Sequence, residues 1–385
     1  MIGVAIIGTG NISPAHIKGY LEFPERCKIV ALCDIYPEKA EAKKVEFELV
    51  DANIYTSYQS MLEREDIDLV SVCTPPYMHA EIAIDFLNNG KHVLVEKPMA
   101  ASLEECDRMI EAEKNSGKVL AIIAQNRFRD QIMNVKRILD SGKIGRVLHA
   151  QINSFWWRGH SYYDLWWRGS WEKEGGGCTL NHAVHHIDML GWMLGKPDKI
   201  TAVLSNAAHD NAEVEDISIA ICQYGQGTLA QVTSSVIHHG EEQSITFQGQ
   251  KAMIAAPWSV AASNSTVNGF PERNTALEDE LTEDYSNFPE LAFTAHTGEI
   301  DNLLSSLEQG TRPLIKGEDG RLTIELITSI YKAGFTGETV SLPLQKDDPF
   351  YTVEGILGNV KHFYEKSGSV ENFPNVEITT GSDYK

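Results

Sequence analysis

The sequence predicts an α/β protein with two domains: a doubly wound parallel sheet, followed by a second, mixed domain with antiparallel strands. Two observations predict the first domain. Its short apolar runs alternate with helical stretches, and a glycine-rich turn follows the first run. The second domain is predicted by half-alternating strand residues that short turns separate after about residue 199. With 385 residues, the chain is long enough for about two to three domains.

The first predicted domain covers residues 1–124. Its strands are apolar on both faces, which indicates a parallel sheet that helices cover on both sides. The strands are expected at residues 4–7, 29–33, 69–73, 92–95 and 119–123. The helices between them are expected at residues 14–23, 37–48, 57–63, 79–89 and 102–116.

The second predicted domain covers residues 125–385. A helix at 131–141 leads into a long strand at 146–155. Further strands are expected at residues 200–205, 217–223, 229–236 and 244–248. The polar, acidic stretch at 264–289 is predicted to be a long loop or lid. Helices are expected again at residues 294–309, 320–334 and 352–367.

The composition limits the partners of the chain. It has 54 acidic and 33 basic residues, which give a formal net charge of −21. Such a surface repels phosphate backbones and anionic lipids, so we expect neither a nucleic acid nor a membrane as a partner. No apolar run approaches the roughly 20 residues that span a bilayer, and the chain does not start like a secretion signal. Its six cysteines are scattered without C-x-x-C pairs, which favours a reducing, cytoplasmic location.

A dinucleotide site is predicted where the first strand ends. Gly8 and Gly10 let the backbone turn tightly and approach a pyrophosphate, which N–H groups at the start of the next helix would bind. Ser13 stands where a third glycine is usual, so the motif alone is weak. Asp34, at the end of the second strand, supplies a carboxylate for the ribose hydroxyls and repels a 2′-phosphate. NAD is therefore favoured over NADP.

A lysine at the end of the fourth strand is the next candidate, in the sequence Glu96-Lys97-Pro98. Ligands of open α/β sheets bind beyond the carboxyl ends of the strands, so Lys97 is expected at the edge where a nicotinamide would lie. A partly desolvated lysine at that place suits proton exchange with a sugar hydroxyl. Taken alone, the same lysine could be an ordinary surface residue that follows a strand.

Three histidines lie close together in a predicted helix. One face of this helix carries Asn181, His185 and Asp188, which suits proton handling by His185, with Asp188 fixing its tautomer and Asn181 binding a hydroxyl. Another face carries His182 and His186, at a spacing that zinc pairs use. This pair lacks a third ligand and the glutamate of zinc-binding helices, so no metal is expected. In a third interpretation, the histidines only pack in the core.

An aromatic segment, residues 156–168, precedes the histidines. Its tryptophans and tyrosines are interleaved with arginines, which is typical of a carbohydrate platform because flat sugar faces stack on aromatic rings. Arg158 and Tyr163 are its candidates for substrate binding. Aromatic packing between the domains is the alternative interpretation of the same rings.

Four motifs together resemble the Gfo/Idh/MocA oxidoreductases, which are named after glucose–fructose oxidoreductase and inositol dehydrogenase. The motifs are Gly8-x-Gly10-x-x-Ser13, Cys73-Thr74-Pro75-Pro76-x-x-His79, Glu96-Lys97-Pro98, and Gly175-Gly176-Gly177 followed by His185-x-x-Asp188. The resemblance covers about residues 2–345. It implies a Rossmann domain and a second α/β domain with a large, open, mostly antiparallel sheet.

The resemblance also implies roles for single residues. Lys97 would be the catalytic acid/base, in a lysine–proline bond that is often cis, and His185 the substrate-side histidine; Asn181 departs from the aspartate frequent in the family. Trp167-Arg168 is similar to a segment that closes over the nicotinamide. The residues expected at the cofactor are Gly8, Gly10, Asn11, Ile12, Asp34, Thr74, Pro75, His79, Glu96, Lys97, Asn126, Trp167 and Arg168. The residues expected at the substrate are Lys97, Arg158, Tyr163, Asn181 and His185.

The predicted activity is NAD-dependent oxidation of a sugar or polyol hydroxyl, with Lys97 and His185 as acid/base. Two alternatives stay open: oxidation at C3 of a glycoside or nucleotide sugar, and NAD-dependent glycoside hydrolysis through transient oxidation. A non-catalytic sugar sensor is disfavoured because Lys97 and His185 are both present. An open sheet with an uncovered face would expose apolar surface, so a homodimer or homotetramer is expected.

Overall fold

The computed structural model describes residues 1–371 and 373. Two compact units make up the chain. The first consists of Met1–Phe128 and Leu291–Ile324, and the second of Arg129–Glu290 and Glu325–Lys385. The domain boundary expected after residue 124 stays a prediction. The end of the predicted second domain, at residues 372 and 374–385, lies outside the described residues.

Regular structure covers most of the described residues. The strands are β1 (Ile2–Ile7), β2 (Cys27–Cys33), β3 (Asn53–Tyr55), β4 (Leu69–Val72), β5 (His92–Val95), β6 (Leu120–Ile122), β7 (Val147–Phe155), β8 (Lys199–Ser205), β9 (Ile217–Gln223), β10 (Leu229–Ser235), β11 (Gln243–Gly249), β12 (Ala252–Ala256), β13 (Ser259–Ser265), β14 (Pro271–Arg273) and β15 (Val340–Ser341). The helices are α1 (Ser13–Leu21), α2 (Pro37–Glu46), α3 (His79–Asn88), α4 (Leu103–Ser116), α5 (Asp130–Asp140), α6 (Cys178–Asn181), α7 (Val184–Leu194), α8 (Thr275–Asn287), α9 (Ala295–Gln309), α10 (Gly317–Thr336) and α11 (Val353–Asn359). None of these described helices has the length and apolar character needed to cross a membrane.

The first unit contains a six-stranded parallel sheet with the strand order β3-β2-β1-β4-β5-β6. This is the order of a Rossmann fold, and the direction of winding reverses between β1 and β4. The predicted doubly wound sheet is therefore confirmed. The prediction missed β3, a three-residue strand that pairs with β2. The helix expected at residues 57–63 is a short 3-10 helix, Tyr58–Met61.

The core of the first unit explains why its strands are apolar. Val4, Ala5 and Ile6 point to alternate faces of β1 and have no exposed surface, so the sheet is covered on both sides. Burying a large aliphatic side chain contributes about 1.5–3 kcal/mol. Helix α9 packs into the same core, and a Cβ atom at Gly19 of α1 would lie 2.5 Å from Cδ1 of Ile300. The glycine therefore lets α1 and α9 approach closely.

Helix ends in the first unit follow local sequence. Ser102 caps α4 by accepting a hydrogen bond from the N–H of Glu105 (3.2 Å), and Gly117 ends the helix with a φ of 66°. Helix α1 starts at Ser13, and the residue before it, Ile12, provides no side-chain cap. At this start, the N–H of Ser13 donates to the carbonyl oxygen of Gly10 (3.2 Å), the N–H of Ala15 donates to that of Ile12 (3.0 Å), and Pro14 has no N–H.

The second unit is built on a nine-stranded sheet with the order β14-β13-β12-β11-β7-β10-β9-β8-β15. Its neighbouring strands run antiparallel except β7 and β10, which are parallel. The predicted large and mostly antiparallel sheet is therefore confirmed. On one face of the sheet, Val203 of β8 and Ile219 of β9 are paired and exposed. Leu229, at the start of β10, is exposed as well.

Two stretches of the second unit differ from the prediction. Residues 264–289 are not a long loop, because β14 pairs with β13 and helix α8 follows. The prediction misses α8 because its sequence is acidic and Leu281 is its only buried apolar residue. Asn274 caps this helix by accepting a hydrogen bond from the N–H of Leu277 (3.1 Å). The helix expected at 352–367 ends at Asn359.

Candidate active site

The glycine turn after β1 lies where the first unit's sheet reverses its winding. Gly8 has a φ of 90°, and a Cβ atom there would lie 2.7 Å from the carbonyl oxygen of Cys73. A side chain is therefore excluded by strain and by the neighbouring strand end. Gly10 is exposed and has nothing within 4 Å of a Cβ position. The turn thus leaves open space directly before the uncapped start of α1, beside the exposed Asn11 and the half-buried Ile12.

Asp34 follows β2 and holds the same turn. Its Oδ2 accepts hydrogen bonds from the N–H (2.8 Å) and the hydroxyl (2.9 Å) of Thr9. Its Oδ1 accepts the N–H of Tyr36 (3.0 Å). Each carboxylate oxygen has two lone pairs, so the half-buried group retains acceptor capacity for ribose hydroxyls.

The loops after β4 and β6 contain polar atoms that are buried without a hydrogen-bond partner. They are Oγ1 of Thr74 and Oε1 of Gln125, which directly precedes Asn126. Pro75, after Thr74, is exposed. Buried polar atoms in folded proteins are nearly always paired, and a polar ligand would supply partners for these two oxygens. Together with the open glycine turn and Asp34, these atoms fit a bound dinucleotide.

His79 is buried and connects two of these loops. One ring nitrogen, Nε2, lies 2.8 Å from the carbonyl oxygen of Thr74, and Nδ1 lies 2.9 Å from that of Pro98. The prediction assigns His79 to the cofactor. The structure shows its ring between two backbone carbonyls, where it fixes the turn after β5 relative to the loop after β4.

Lys97 follows β5 at the same edge of the sheet. It is half-buried, and its bond to Pro98 is cis. Glu96, beside it, is 4% exposed, and its Oε2 accepts the N–H of Lys97 (3.1 Å). Its Oε1 accepts hydrogen bonds from Nε2 of His16 (2.9 Å) and Nε2 of His296 (3.3 Å). Glu96, predicted at the cofactor, thus has its carboxylate inside the unit.

In the second unit, the triple glycine before α6 is held by a buried carboxylate. Oε2 of Glu215 accepts the N–H of Gly177 (3.1 Å), and its Oε1 accepts the N–H of Thr179 (2.9 Å) and the hydroxyl of Tyr331 (3.1 Å). A Cβ atom at Gly176 would lie 2.2 Å from the Tyr331 hydroxyl oxygen. Only glycine fits this close approach. Burial raises the pKa of Glu215 to about 7.

The predicted continuous helix through the histidines is wrong, because α6 ends at Asn181 and α7 begins at Val184. The amide nitrogen of Asn181 donates to the carbonyl oxygens of Gly176 (2.7 Å) and Gly177 (3.2 Å), which fixes it to the glycine loop. His185 is half-buried on α7, and Asp188 is buried one turn further along. The shared helical face therefore applies to these two residues and not to Asn181.

The other two histidines lie in the interior. His182 is buried after α6, between the ends of the two helices. His186 is buried on α7, where burial, and to a smaller extent the charge of Arg129, lowers its pKa to about 4. Its ring is therefore neutral at physiological pH. The two residues do not share one helix, as the zinc interpretation requires.

The aromatic segment contains both packed and exposed rings. Tyr163 is 1% exposed and packs edge-on against Tyr162 (5.1 Å between centroids), so the structure places this substrate candidate in the interior. Trp157 and Trp166 are about half-exposed. Arg158 forms an ion pair with the buried Glu241 (2.6 Å). The segment thus contains packed rings as well as exposed ones, and its use as a carbohydrate platform stays a prediction.

Arg168 occupies a charged niche in the same segment. Its guanidinium lies 4.2 Å from the ring centroids of both Trp167 and Tyr162. Its Nη1 donates to Oε1 of Glu174 (2.9 Å), a residue that is 2% exposed. These contacts orient Trp167 and hold the arginine side chain in place.

Sequence reasoning missed the polar residues that hold the candidate residues directly or through one another. They are the buried His16, Tyr20, Ser71, Glu174, Glu215 and Glu241 and the half-buried His296. One signal was available. Ser71 stands within the otherwise apolar strand β4, and a buried polar group needs a partner. The partners themselves come from distant parts of the chain, which one sequence does not connect.

Two segments of the chain match models of one family. Residues 2–123 match the GFO_IDH_MocA model, described as an oxidoreductase family with an NAD-binding Rossmann fold. Residues 132–255 match the GFO/IDH/MocA C-terminal domain. The chain belongs to the Gfo/Idh/MocA family. It is thus an oxidoreductase with an NAD-binding Rossmann domain, as the motifs predict.

Named relatives are similar over most of their length. A 2,7-anhydro-N-acetylneuraminate hydratase of Mediterraneibacter gnavus is 26% identical over 316 residues, 81% of each chain. An inositol 2-dehydrogenase of Rhizobium meliloti is 26% identical over 83% of this chain and 93% of its own. The crystal structure of the WlbA dehydrogenase from Bordetella pertussis with NADH and UDP-GlcNAcA has a TM-score of 0.78 at 27% identity, covering 89% of this chain and 98% of that one.

Proposed function

We propose that this Gfo/Idh/MocA member oxidises a hydroxyl group of a sugar or polyol with NAD, and that Lys97 and His185 are its acid/base pair. The observation that carries the proposal is the place of Lys97: a half-buried lysine at the carboxyl end of β5, next to a buried glutamate, in an NAD-binding domain. Inositol 2-dehydrogenase and levoglucosan dehydrogenase are among the relatives, which supports a carbohydrate substrate.

The residues that would hold NAD lie at one edge of the parallel sheet. The glycine turn and the start of α1 would bind the pyrophosphate, and Asp34 would bind the adenosine ribose. The orphaned oxygens of Thr74 and Gln125 would accept hydrogen bonds from the nicotinamide half. When bound, NAD supplies a hydride acceptor at its nicotinamide ring.

The chain's own contribution to the reaction is proton transfer and orientation. Lys97 takes the proton from the substrate hydroxyl as the carbon is oxidised, and returns it in the reverse direction. His185 is the second proposed acid/base group, and Asp188 lies one turn away on α7, where it can orient the ring of His185. Asn181 would bind a hydroxyl of the substrate but cannot accept a proton from it, since an amide does not ionise.

A substrate panel tests the proposal. The wild-type enzyme is incubated with NAD or NADP and with inositols, aldoses, glycosides, anhydrosugars and nucleotide sugars, and absorbance of the reduced nicotinamide is recorded. We expect reduction of NAD with at least one of these compounds and slower reduction of NADP. Failure of every compound to reduce either cofactor, with NAD binding shown by calorimetry, would contradict net oxidation.

A redox-neutral reaction is the second candidate, because two relatives of this chain are named as anhydroneuraminate hydratases. In such a reaction, transient oxidation of a hydroxyl would activate the sugar for hydrolysis or hydration, and the cofactor would return to its starting state. This candidate predicts that an anhydrosugar or glycoside is converted only when NAD is present, without accumulation of NADH. Product analysis by mass spectrometry separates it from net oxidation.

The glycoside and nucleotide-sugar alternative keeps the same chemistry with a larger substrate. The WlbA dehydrogenase structure contains UDP-GlcNAcA, which supports the inclusion of nucleotide sugars in the panel. Arg158, a candidate for binding such a substrate, is already paired with Glu241. A nucleotide sugar would therefore need to compete with that ion pair or use another cation.

We propose that the protein is a homodimer or homotetramer. The exposed apolar residues of the nine-stranded sheet, Val203, Ile219 and Leu229, would lie in the contact between subunits. Light scattering at micromolar concentration should give a multiple of the chain mass, and the variant Ile219→Lys should reduce it.

We also propose a cytoplasmic location. All six cysteines are buried and form no disulfide, which supports this proposal.

A further inference from the structure

A chain of buried polar side chains runs through the first unit to the residue before Lys97. The hydroxyl of Tyr20 lies 2.7 Å from Oγ of Ser71, and Ser71 Oγ lies 3.3 Å from Nδ1 of His16. Nε2 of His16 and Nε2 of His296 both contact Oε1 of Glu96. Tyr20, Ser71, His16 and Glu96 are at most 5% exposed. These residues are far apart in the sequence, so the fold alone brings them together.

The hydrogen bonds of this row of side chains keep the carboxylate of Glu96 ionised. Burial by itself would raise the pKa of Glu96, but the hydrogen bonds from His16 and His296 outweigh burial and hold it well below its usual value. Burial lowers the pKa of His16, so a neutral imidazole donates Nε2–H to the carboxylate. The hydroxyl of Ser71 can supply the hydrogen that Nδ1 of this neutral ring accepts. Each hydrogen bond from Tyr20 through Ser71 and His16 to Glu96 therefore has one donor and one acceptor.

His296, which also contacts Glu96, follows a residue with an unusual backbone conformation. The residue before it, Ala295, has a φ of 51°, a left-handed conformation that is rare for residues other than glycine. Helix α9 starts at this residue, so the turn aims His296 in the first helical turn. Such a conformation costs of order 1–3 kcal/mol and persists only where the surrounding contacts fix it.

We propose that Glu96 is a positioning residue for Lys97 and that His296 and His16 hold its carboxylate in place. Oε2 of Glu96 accepts the backbone N–H of Lys97, while Oε1 is fixed by the two imidazoles. The carboxylate therefore ties the start of the Lys97-Pro98 turn to α1 and α9. The inference rests on the proposed role of Lys97 in catalysis.

Two other roles of the same side chains predict different results. The ligand atoms of His16, Glu96 and His296 all lie within 4.8 Å of one another, which a divalent metal also requires. A proton relay would need His296 to ionise during turnover. Hydrogen-bond donation to Glu96 needs neither a metal nor ionisation of His296, and it requires only an N–H group at the position of Nε2.

The variants His296→Gln and His296→Leu separate these roles. The amide nitrogen of glutamine reaches the place of Nε2 and donates a hydrogen bond, but it does not titrate, and leucine fills the space without donating. If donation is what matters, His296→Leu lowers kcat by about 30-fold and His296→Gln by no more than about 3-fold, because small displacements of an acid/base group have large effects on rate. The KM values for NAD and sugar stay within about 2-fold in both variants.

Three outcomes would overturn the inference. Equal loss of kcat in both variants would indicate a relay or a metal ligand, and unchanged kcat in both would indicate no role. Stoichiometric zinc in the purified wild-type protein, absent from His296→Leu, would replace the hydrogen-bond role by a metal site. Thermal unfolding of both variants is measured first, since a shared loss of stability would have to be matched to a shared loss of activity.

A readout without turnover separates this inference from the proposed function. Amide hydrogen exchange at Lys97 reports the hydrogen bond to Glu96 whether or not any sugar is oxidised. We expect faster exchange at Lys97 in His296→Leu than in the wild type, and near-wild-type exchange in His296→Gln. Unchanged exchange in both variants contradicts positioning by His296. If exchange responds as expected and no substrate turns over, only the proposed function fails.

Discussion

Glu96 in the first unit and Glu215 in the second are both buried glutamates, yet their surroundings shift their acidity in opposite directions. Burial would raise the pKa of either group. At Glu96, hydrogen bonds from His16 and His296 outweigh burial and the pKa is well below its usual value. At Glu215 the partners are backbone N–H groups and a tyrosine hydroxyl, and the pKa is about 7. The partners therefore decide whether a buried carboxylate keeps its charge.

This difference separates the tasks of the two units. A carboxylate that stays ionised gives a constant environment to the backbone of Lys97. Glu215 holds the glycine loop that positions Asn181, and its charge changes near neutral pH. The charge beside Lys97 in the first unit is thus constant, while the charge at the glycine loop of the second unit depends on pH.

Replacing Lys97, the proposed acid/base group of the first unit, tests the comparison most strongly. The variant Lys97→Ala should lower kcat by about 10³-fold, because general acid–base catalysis contributes roughly 10²–10⁴-fold. NAD reduction in steady state measures the effect. The exposed Lys18, on α1 of the same unit, gives the control variant Lys18→Ala, which should retain wild-type activity. Retained turnover in Lys97→Ala would move the acid/base role out of the first unit.

The next largest effect is expected on stability, from a substitution in the glycine loop of the second unit. A Cβ atom at Gly177 would lie 1.9 Å from the carbonyl oxygen of Glu215, so Gly177→Ala must displace the backbone. We expect a loss of about 4 kcal/mol in the free energy of unfolding, measured with a chemical denaturant. Gly358 of α11 has nothing within 4 Å of its Cβ position, and Gly358→Ala is the matched control. Equal stability of the two variants would show that the loop yields easily.

The sequence predicts the first unit well because the relevant signals are local. Strands that are apolar on both faces are buried on both faces. Gly8 and Asp34 directly follow a strand, and Lys97 is the second residue after one. Their common edge then follows from the parallel order of the sheet. What the sequence does not show are the partners of Glu96, the residue that accepts the N–H of Lys97. His16 and His296 lie 80 and 200 residues from Glu96, and no local pattern links them.

The second unit is less predictable for the same reason. The apolar spacing around residues 181–188 predicts one helix. In the structure α6 ends at Asn181, whose side chain donates to two carbonyl oxygens of the glycine loop, and α7 begins at Val184. Helix α8 is acidic along its length, and contacts of single side chains with residues outside the helix hold it in place. Its Glu278 accepts the N–H of Ala262 (2.9 Å), and Tyr285 stacks on Trp258. These long-range contacts override local patterns, as tertiary contacts often do.

The pH dependence of stability sharpens the comparison between the two carboxylates. Between the ordinary pKa of a glutamate, 4.5, and about 7, the folded protein binds more protons at Glu215 than the unfolded chain does. The free energy of unfolding therefore falls as the pH rises through this window, and levels off above it. The variant Glu215→Gln lacks this dependence. The difference in stability should thus change by about 3 kcal/mol in favour of the variant from pH 4.5 to 8.

Denaturant titrations at several pH values measure this change. The glutamine side chain also loses one hydrogen-bond acceptor, but that loss is the same at every pH and does not affect the slope. A difference between wild type and variant that stays constant with pH would mean that Glu215 is ionised in the folded protein throughout the window.

The smallest expected effect concerns Asp34, which holds Thr9 of the glycine turn and is proposed to bind the ribose of NAD. Asp34→Asn removes the charge that repels a 2′-phosphate and weakens the acceptor for the ribose hydroxyls. We expect the KM for NAD to rise about 10-fold, about 1.4 kcal/mol, and the preference for NAD over NADP to fall by a similar factor. Because Asp34 also holds Thr9, a loss of kcat with unchanged preference would indicate a role in shaping the turn only. Steady-state rates with both cofactors distinguish the two, and an unchanged KM for the sugar places the effect in the first unit alone.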